Sequence, residues 1–206
     1  DKSVVVPQFT LDTGLTFERE GKYLQTLSPR AFYAYAPHQN QDDYPNFDST
    51  AASLNYDQLF NPKRFYGHDR LEDNNFLSLG LSYSLFGTTG LEKLRTSIGQ
   101  SFYFDDRKVT LNNSQNDPFN TERQTGPVIS IASQLSQNFS VNANSMWMSN
   151  GDNAQRDVQM YYTGDQGNLY NVGYFNRREL VNRQDSYDQV VASFIQPVHN
   201  NWRIIG

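Results

Sequence analysis

His68 and Asp69 stand side by side, and a histidine next to a carboxylate is the pairing in this chain that could move a proton near neutral pH. Neighbouring side chains in a strand or loop diverge, however, and no second acidic pair accompanies them. A second group of chemistry-capable residues lies in 37–73, where Asp42, Asp43, Asp48, Asp57, Asp69, Glu72 and Asp73 supply the hard oxygen ligands a divalent cation wants. They lack EF-hand spacing, and solvated acids account for them. Arg30 and Arg95 carry planar forks suited to gripping phosphate or carboxylate in two places at once. The chain has no cysteine, hence no thiolate metal site or Cys nucleophile. It also lacks a Gly-x-Ser-x-Gly elbow, a phosphate-binding loop and a zinc motif, so no catalytic, cofactor or metal residues are expected.

The elements that must position these residues show themselves by period-two alternation. In 75–86, Leu77, Leu79, Leu81, Tyr83 and Leu85 fall on one face and Phe76, Ser78, Gly80, Ser82 and Ser84 on the other, because successive strand side chains point to opposite sides. The same split recurs across 8–18, 27–35, 94–104, 139–147, 155–162 and 170–174, and more weakly at 128–136 and 189–196. One face is apolar; the other is small and polar.

Tight turns fit around Gly21-Lys22, Gly87-Thr88-Thr89-Gly90, Ser136-Gln137-Asn138, Gly164-Asp165-Gln166-Gly167 and Val198-His199-Asn200-Asn201. Between them lie mostly longer polar stretches at 37–73, 105–126, 150–153 and 177–187. Short and long connections alternate, as in a membrane barrel with minimal turns at one end and long loops at the other. A strand of about ten residues tilted ~45° spans roughly 23 Å, close to the apolar band of an outer membrane. A soluble antiparallel sheet with one packed face would also alternate, but it explains neither the loop asymmetry nor a second face of small and amide side chains.

Composition agrees. Only 37% of the residues are hydrophobic, a poor basis for a thick soluble core, and no apolar run is long enough for a membrane helix. The 13 Tyr, 14 Phe and 2 Trp tend to stand near strand ends, as interfacial girdles require. A net charge of −5 without a Lys/Arg cluster removes the footprint of a nucleic-acid binder. The expectation is all-β: an antiparallel transmembrane β-barrel segment of about ten up-and-down strands, part of a larger barrel. Residues 1–206 form one partial barrel domain with long extracellular loops near 37–73 and 105–126. Asp1 without a leader and the apolar end Trp202-Arg203-Ile204-Ile205-Gly206 fit a fragment.

Three stretches narrow this. Leu27-Ser28-Pro29-Arg30-Ala31-Phe32-Tyr33-Ala34-Tyr35 leads into a loop with Asp48-Ser49 and Tyr56-Asp57-Gln58-Leu59-Phe60. Arg64-Phe65-Tyr66-Gly67-His68-Asp69-Arg70-Leu71 follows, with Asn74, and then Ser97-Ile98-Gly99-Gln100-Ser101-Phe102-Tyr103-Phe104. In this order they resemble the LptD family, also called organic solvent tolerance proteins. The resemblance implies a very large outer-membrane barrel that inserts lipopolysaccharide into the outer leaflet, with no bond made or broken. It also implies a periplasmic domain, a plug lipoprotein of the LptE type, periplasmic lipopolysaccharide bridge proteins and outer-membrane lipids as neighbours. The stretch would be middle-to-late barrel. The family's cysteines have no counterpart here.

The candidate lumen or loop-structuring residues are Pro29, Arg30, Arg95, Gly67, Asp69 and Arg70. Pro29 lacks an N–H, so an edge, bulge or weakly paired position is expected there. Arg30 and Arg95 belong on the polar face, since a charge at mid-bilayer costs ~2–4 kcal/mol. There they either contact lipopolysaccharide phosphates or pair with lumenal acids and inward loop residues. Gly67 meets a backbone need, and Asp69-Arg70 pins the returning loop by an ion pair or by capping main-chain N–H groups. The competing functions are a porin or receptor barrel of another family and a rim-active outer-membrane hydrolase. A hydrolase would need a carboxylate partner for His68 other than Asp69.

Overall fold

The computed structural model describes residues 4–52, 55–111, 118–178, 186–199 and 202–206. Thirteen strands are described: β1 (Phe9–Gly14), β2 (Phe17–Arg19), β3 (Leu24–Ala36), β4 (Thr50–Ala51), β5 (Phe65–Tyr66), β6 (Asn74–Phe86), β7 (Glu92–Tyr103), β8 (Val128–Gln134), β9 (Phe139–Trp147), β10 (Asn153–Thr163), β11 (Leu169–Arg178), β12 (Ser186–His199) and β13 (Trp202–Ile205). Ten of them follow one antiparallel path, β1-β3-β6-β7-β8-β9-β10-β11-β12-β13, with β2 also on β3; β4 and β5 form a separate two-stranded ribbon. The expected fold class, all-β with about ten up-and-down strands, is what the structure has. Among the described residues β1 and β13 are the two ends of this path and do not pair with each other. Parts of the connections expected at 177–187 and 198–201 lie outside the described residues.

One expected strand is divided. The alternation over 8–18 predicts a single strand, yet β1 ends at Gly14 and β2 begins at Phe17. Both pair with β3 in one continuous register, Gly14 opposite Arg30 and Phe17 opposite Leu27, so no residue is inserted. The cause is Pro29. Leu15 N–H donates to the Pro29 carbonyl at 3.1 Å, but Pro29 has no N–H to return the bond. On its other side the β3–β6 ladder runs unbroken from Leu24–Phe86 to Ala36–Asn74, because Pro29 and Leu81 oppose each other where no bond is exchanged. Pro29 therefore sits in a central strand, without a bulge, and weakens one seam alone.

The two faces differ as their side chains dictate. On the apolar face Leu79, Leu81, Ile98, Ile131, Met160, Val172 and Phe194 are all exposed. Register joins them across strands, Leu81 to Ile98 and Met160 to Val172. An exposed apolar surface this wide is foreign to a soluble monomer and proper to a lipid-facing wall.

The other face is less uniformly polar than the alternation suggests, for Phe32, Phe76, Val128 and Met146 lie on it and are buried. They pack against Leu59, Phe60 and Tyr56. Part of the 37–73 connection thus lies on the sheet face. A 3-10 turn, Asp57–Phe60, starts where the Asn55 side-chain oxygen accepts Gln58 N–H at 2.8 Å. It seats where Gly80 opposes Gly99 across β6 and β7. A Cβ on Gly80 would collide with the Phe60 ring and approach Tyr56 Oη to 2.7 Å, and one on Gly99 would meet Leu59 Cδ1 at 2.7 Å.

Serines close the polar side of this seat. Ser78 Oγ donates to the Leu59 carbonyl at 2.5 Å and meets Ser101 Oγ at 2.7 Å, so Ser101 supplies the hydrogen between them. Ser82 Oγ donates to Tyr56 Oη at 3.0 Å. Small hydroxyls thus satisfy the turn without lifting it off the sheet.

Gly80→Val is therefore expected to eject the 55–61 segment while the strand ladder survives. Limited proteolysis of the full-length protein should show new cleavage within 37–73 at unchanged heat-modifiable gel mobility. Wild-type protection in the variant would refute the glycine seat.

Candidate functional site

Arg30 points from β3 onto the covered face between the edge strand and the inward turn. Its Nε donates to Asp12 Oδ1 at 2.9 Å and its Nη2 to Asp12 Oδ2 at 2.6 Å, a bidentate pair. The same guanidinium lies 4.4 Å from the Phe60 ring centroid, within cation–π range. Gly14 and Gly80, its register neighbours on either side, leave room for both contacts. Pro29 points to the opposite face, so the two adjacent candidates share no contact surface. Arg95 stands apart towards the 87–91 turn and donates to Glu92 at 2.9 Å.

Gly67, Asp69 and Arg70 are brought together in a clamp between 37–73 and 105–126. Gly67 has φ near +100°, and a Cβ there would lie 2.7 Å from the Asp48 carbonyl oxygen; only glycine meets both conditions without strain. The turn it allows lets Asp69 accept main-chain N–H bonds from Phe47 at 2.6 Å and Asp48 at 2.9 Å. These bonds hold the Asp69 carboxyl below its usual value, Phe47 contributing most. Asp48 returns the arrangement by accepting His68 N–H at 3.1 Å. The buried Arg70 guanidinium donates to the carbonyls of Tyr44 at 3.0 Å, Asp69 at 3.0 Å, Thr110 at 3.3 Å and Pro45 at 3.4 Å. One side chain thus ties three stretches of backbone.

A second pin lies beside it. Asp73 accepts from Arg64 Nη2 at 2.5 Å and from the main-chain N–H groups of Lys108 at 2.6 Å and Val109 at 3.2 Å. Burial pulls the Arg64 guanidinium below its usual value, and Asp73 opposes that pull. Burial lowers Arg107 as well, whose guanidinium lies 3.6 Å from the Tyr103 ring centroid. A cleft of about 330 Å³ opens here, lined in part by Tyr35, His38, Asp105, Lys108 and Arg123, with charges of both signs.

The His68 side chain is 96% exposed, with Nδ1 3.6 Å from Asp48 Oδ2, longer than a hydrogen bond. Among the described residues no three His, Cys, Asp or Glu side chains gather as a metal site would require.

Sequence reasoning passed over Asp12, Phe60, Gly80, Gly99, Arg64 and Asp73 as partners. Phe32 and Phe76, aromatic on a face otherwise small and polar, were the available signal for an inward segment.

The Asp69 caps carry a pH dependence. A carboxylate with its folded pKa depressed contributes stability above its unfolded value, about 3.9, and loses it as pH falls through the lower folded value. Limited proteolysis of 44–70 in the full-length protein should therefore accelerate below about pH 4, and Asp69→Ala should be cleaved fast at pH 7 as well. Equal protection of Asp69→Ala and wild type at pH 7 would dismiss the cap. Arg70→Lys, which keeps the charge but cannot reach four carbonyls, is expected to expose both 37–73 and 105–126 to protease.

The chain matches the family model "LptD: LPS transport system D" over residues 2–202. It is 76% identical over 206 residues to the LPS-assembly protein LptD of Acinetobacter baumannii, covering 100% of this chain and 25% of that protein. Identity to the protein of the same name from Acinetobacter baylyi is 69% over 205 residues, again 100% of this chain and 25% of the relative. With the one from Psychrobacter cryohalolentis it is 34% over 215 residues, 99% of this chain and 21% of the relative. The chain spans about a quarter of the length of the first two relatives. With nearly its whole length matched by the family model and laid out as an antiparallel up-and-down sheet, the chain belongs to the LptD family.

Proposed function

We propose that this chain is a wall segment of an outer-membrane barrel that inserts lipopolysaccharide into the outer leaflet. The observation that carries the reading is the match over residues 2–202 to a family of LPS transport proteins, in a chain whose sheet exposes a continuous apolar face. Such a wall presents lipid with one side and a hydrated interior with the other. It lowers the barrier for an amphiphile by offering sugar chains a polar surface and acyl chains a greasy one. The work is transport; the relatives are named for assembly, and no bond need be made or broken.

The loops 37–73 and 105–126 belong at the cell surface in this reading, opposite the tight turns. An LptE-type plug lipoprotein, periplasmic lipopolysaccharide bridge proteins and outer-membrane lipids are the partners it calls for. The inward 55–61 segment is a feature shared with pore-constricting loops of porins. Here it rests on an apolar seat, which speaks for a packed support.

Depleting cells of the full-length protein should reduce surface lipopolysaccharide, and plasmid-borne wild type should restore it. Normal display throughout depletion would sink the reading.

A further inference from the structure

The 55–61 segment covers β3, β6 and β7. Farther along the same face a chain of hydrogen bonds crosses β8 to β11. Ser130 Oγ donates to Asn144 Oδ1 at 2.7 Å, and Asn144 Nδ2 donates to Asp157 Oδ2 at 2.9 Å. Gln155 Nε2 donates to Asp157 Oδ1 at 2.8 Å, and Arg177 Nη1 donates to Gln155 Oε1 at 2.8 Å. Register places these residues on the covered face: Val128, Met146, Gln155 and Arg177 continue the row of Arg30, Gly80 and Gly99.

The order of partners matters. Asp157, 7% exposed, has both oxygens engaged by neutral amides. Gln155 stands between it and Arg177, orienting the guanidinium without cancelling its charge. Four other arginines are instead paired directly with a carboxylate: Arg30 with Asp12 at 2.6 Å, Arg64 with Asp73 at 2.5 Å, Arg95 with Glu92 at 2.9 Å and Arg123 with Asp106 at 3.4 Å. Arg177 has one of its five donors on Gln155. The neighbouring Phe175 ring leans over Gly173, where a Cβ would lie 2.8 Å from Phe175 Cε2. The ring is thereby directed away from Arg177.

We propose that Arg177, positioned by Gln155 and Asp157, is a docking point for the phosphate of a phosphorylated glycolipid head on the inner wall. A guanidinium oriented by an amide, with no carboxylate in ion-pair contact among the described residues, presents a two-pronged donor edge that matches a phosphate. The proposal rests on the transport reading and names the residue that would hold the head group.

The test is binding of bisphosphorylated lipid A, and of the same lipid after enzymatic dephosphorylation, to purified full-length protein with its companion lipoprotein, followed by native mass spectrometry. Arg177→Gln should weaken binding of the phosphorylated lipid about tenfold and leave the dephosphorylated lipid unchanged. Arg177→Lys should recover part of the loss, and Gln155→Ala, which frees the guanidinium but keeps its charge, should fall between. Heat-modifiable mobility, equal in all variants, certifies the fold. Equal affinity of wild type and Arg177→Gln for phosphorylated lipid overturns the proposal and leaves the transport reading standing. Displacement of the lipid by an equal concentration of inorganic phosphate also overturns it, by assigning the site to the free ion. Wild type that binds neither lipid overturns the transport reading and the proposal with it.

Discussion

Much of the covered face depends on the opposition of Gly80 and Gly99. Two missing side chains in register make a depression one residue wide on each of two strands, deep enough for an aromatic ring and a leucine. Register is what places them there. A slip of one residue would present Leu79 or Leu81 in the same position and turn the serines to lipid. Once Phe60 is seated, its ring supplies a surface for Arg30, and Arg30 in turn reaches Asp12 on the edge strand. A packing event in a loop is thereby coupled to an ion pair across the β1–β3 seam, where Pro29 has removed a backbone bond.

Main-chain groups dominate the rest of the loop body. Asp69 and Asp73 each accept two backbone N–H bonds, and Arg70 collects four carbonyls. Long connections without regular secondary structure leave such groups unpaired, and burying them unpaired is costly. Charged side chains with several donors or acceptors solve this locally. That is a physical reason for Asp48, Asp69, Glu72 and Asp73, each of which accepts main-chain N–H groups.

The sheet was legible in the sequence because its signal is local: Leu77, Leu79 and Leu81 declare a face to anyone reading every second residue. The turns were legible through Gly, Asn and Asp for the same reason. The division of the first strand was not, since its cause, Pro29, lies on the neighbouring strand and acts through a missing donor rather than through pattern. The inward segment was half legible. Phe32 and Phe76 broke the polar pattern of their face, but their partner is separated from them by a loop whose path no periodicity encodes. Arg30 was readable as an inward charge; that Asp12 would be its partner depended on register.

The two halves of the covered face solve one electrostatic problem in different ways. On β1 and β3 the inward arginine is paired with a carboxylate and capped by an aromatic ring, which buries charge by cancelling it. On β8 to β11 the acid and the arginine are held one amide apart, with Asp157 satisfied by Asn144 and Gln155 and the arginine left with donors to spare. Both arrangements engage the charged groups in hydrogen bonds, yet in the second an amide stands between the acid and the guanidinium. The order of residues along the hydrogen-bond chain, Asn144 to Asp157 to Gln155 to Arg177, produces that difference.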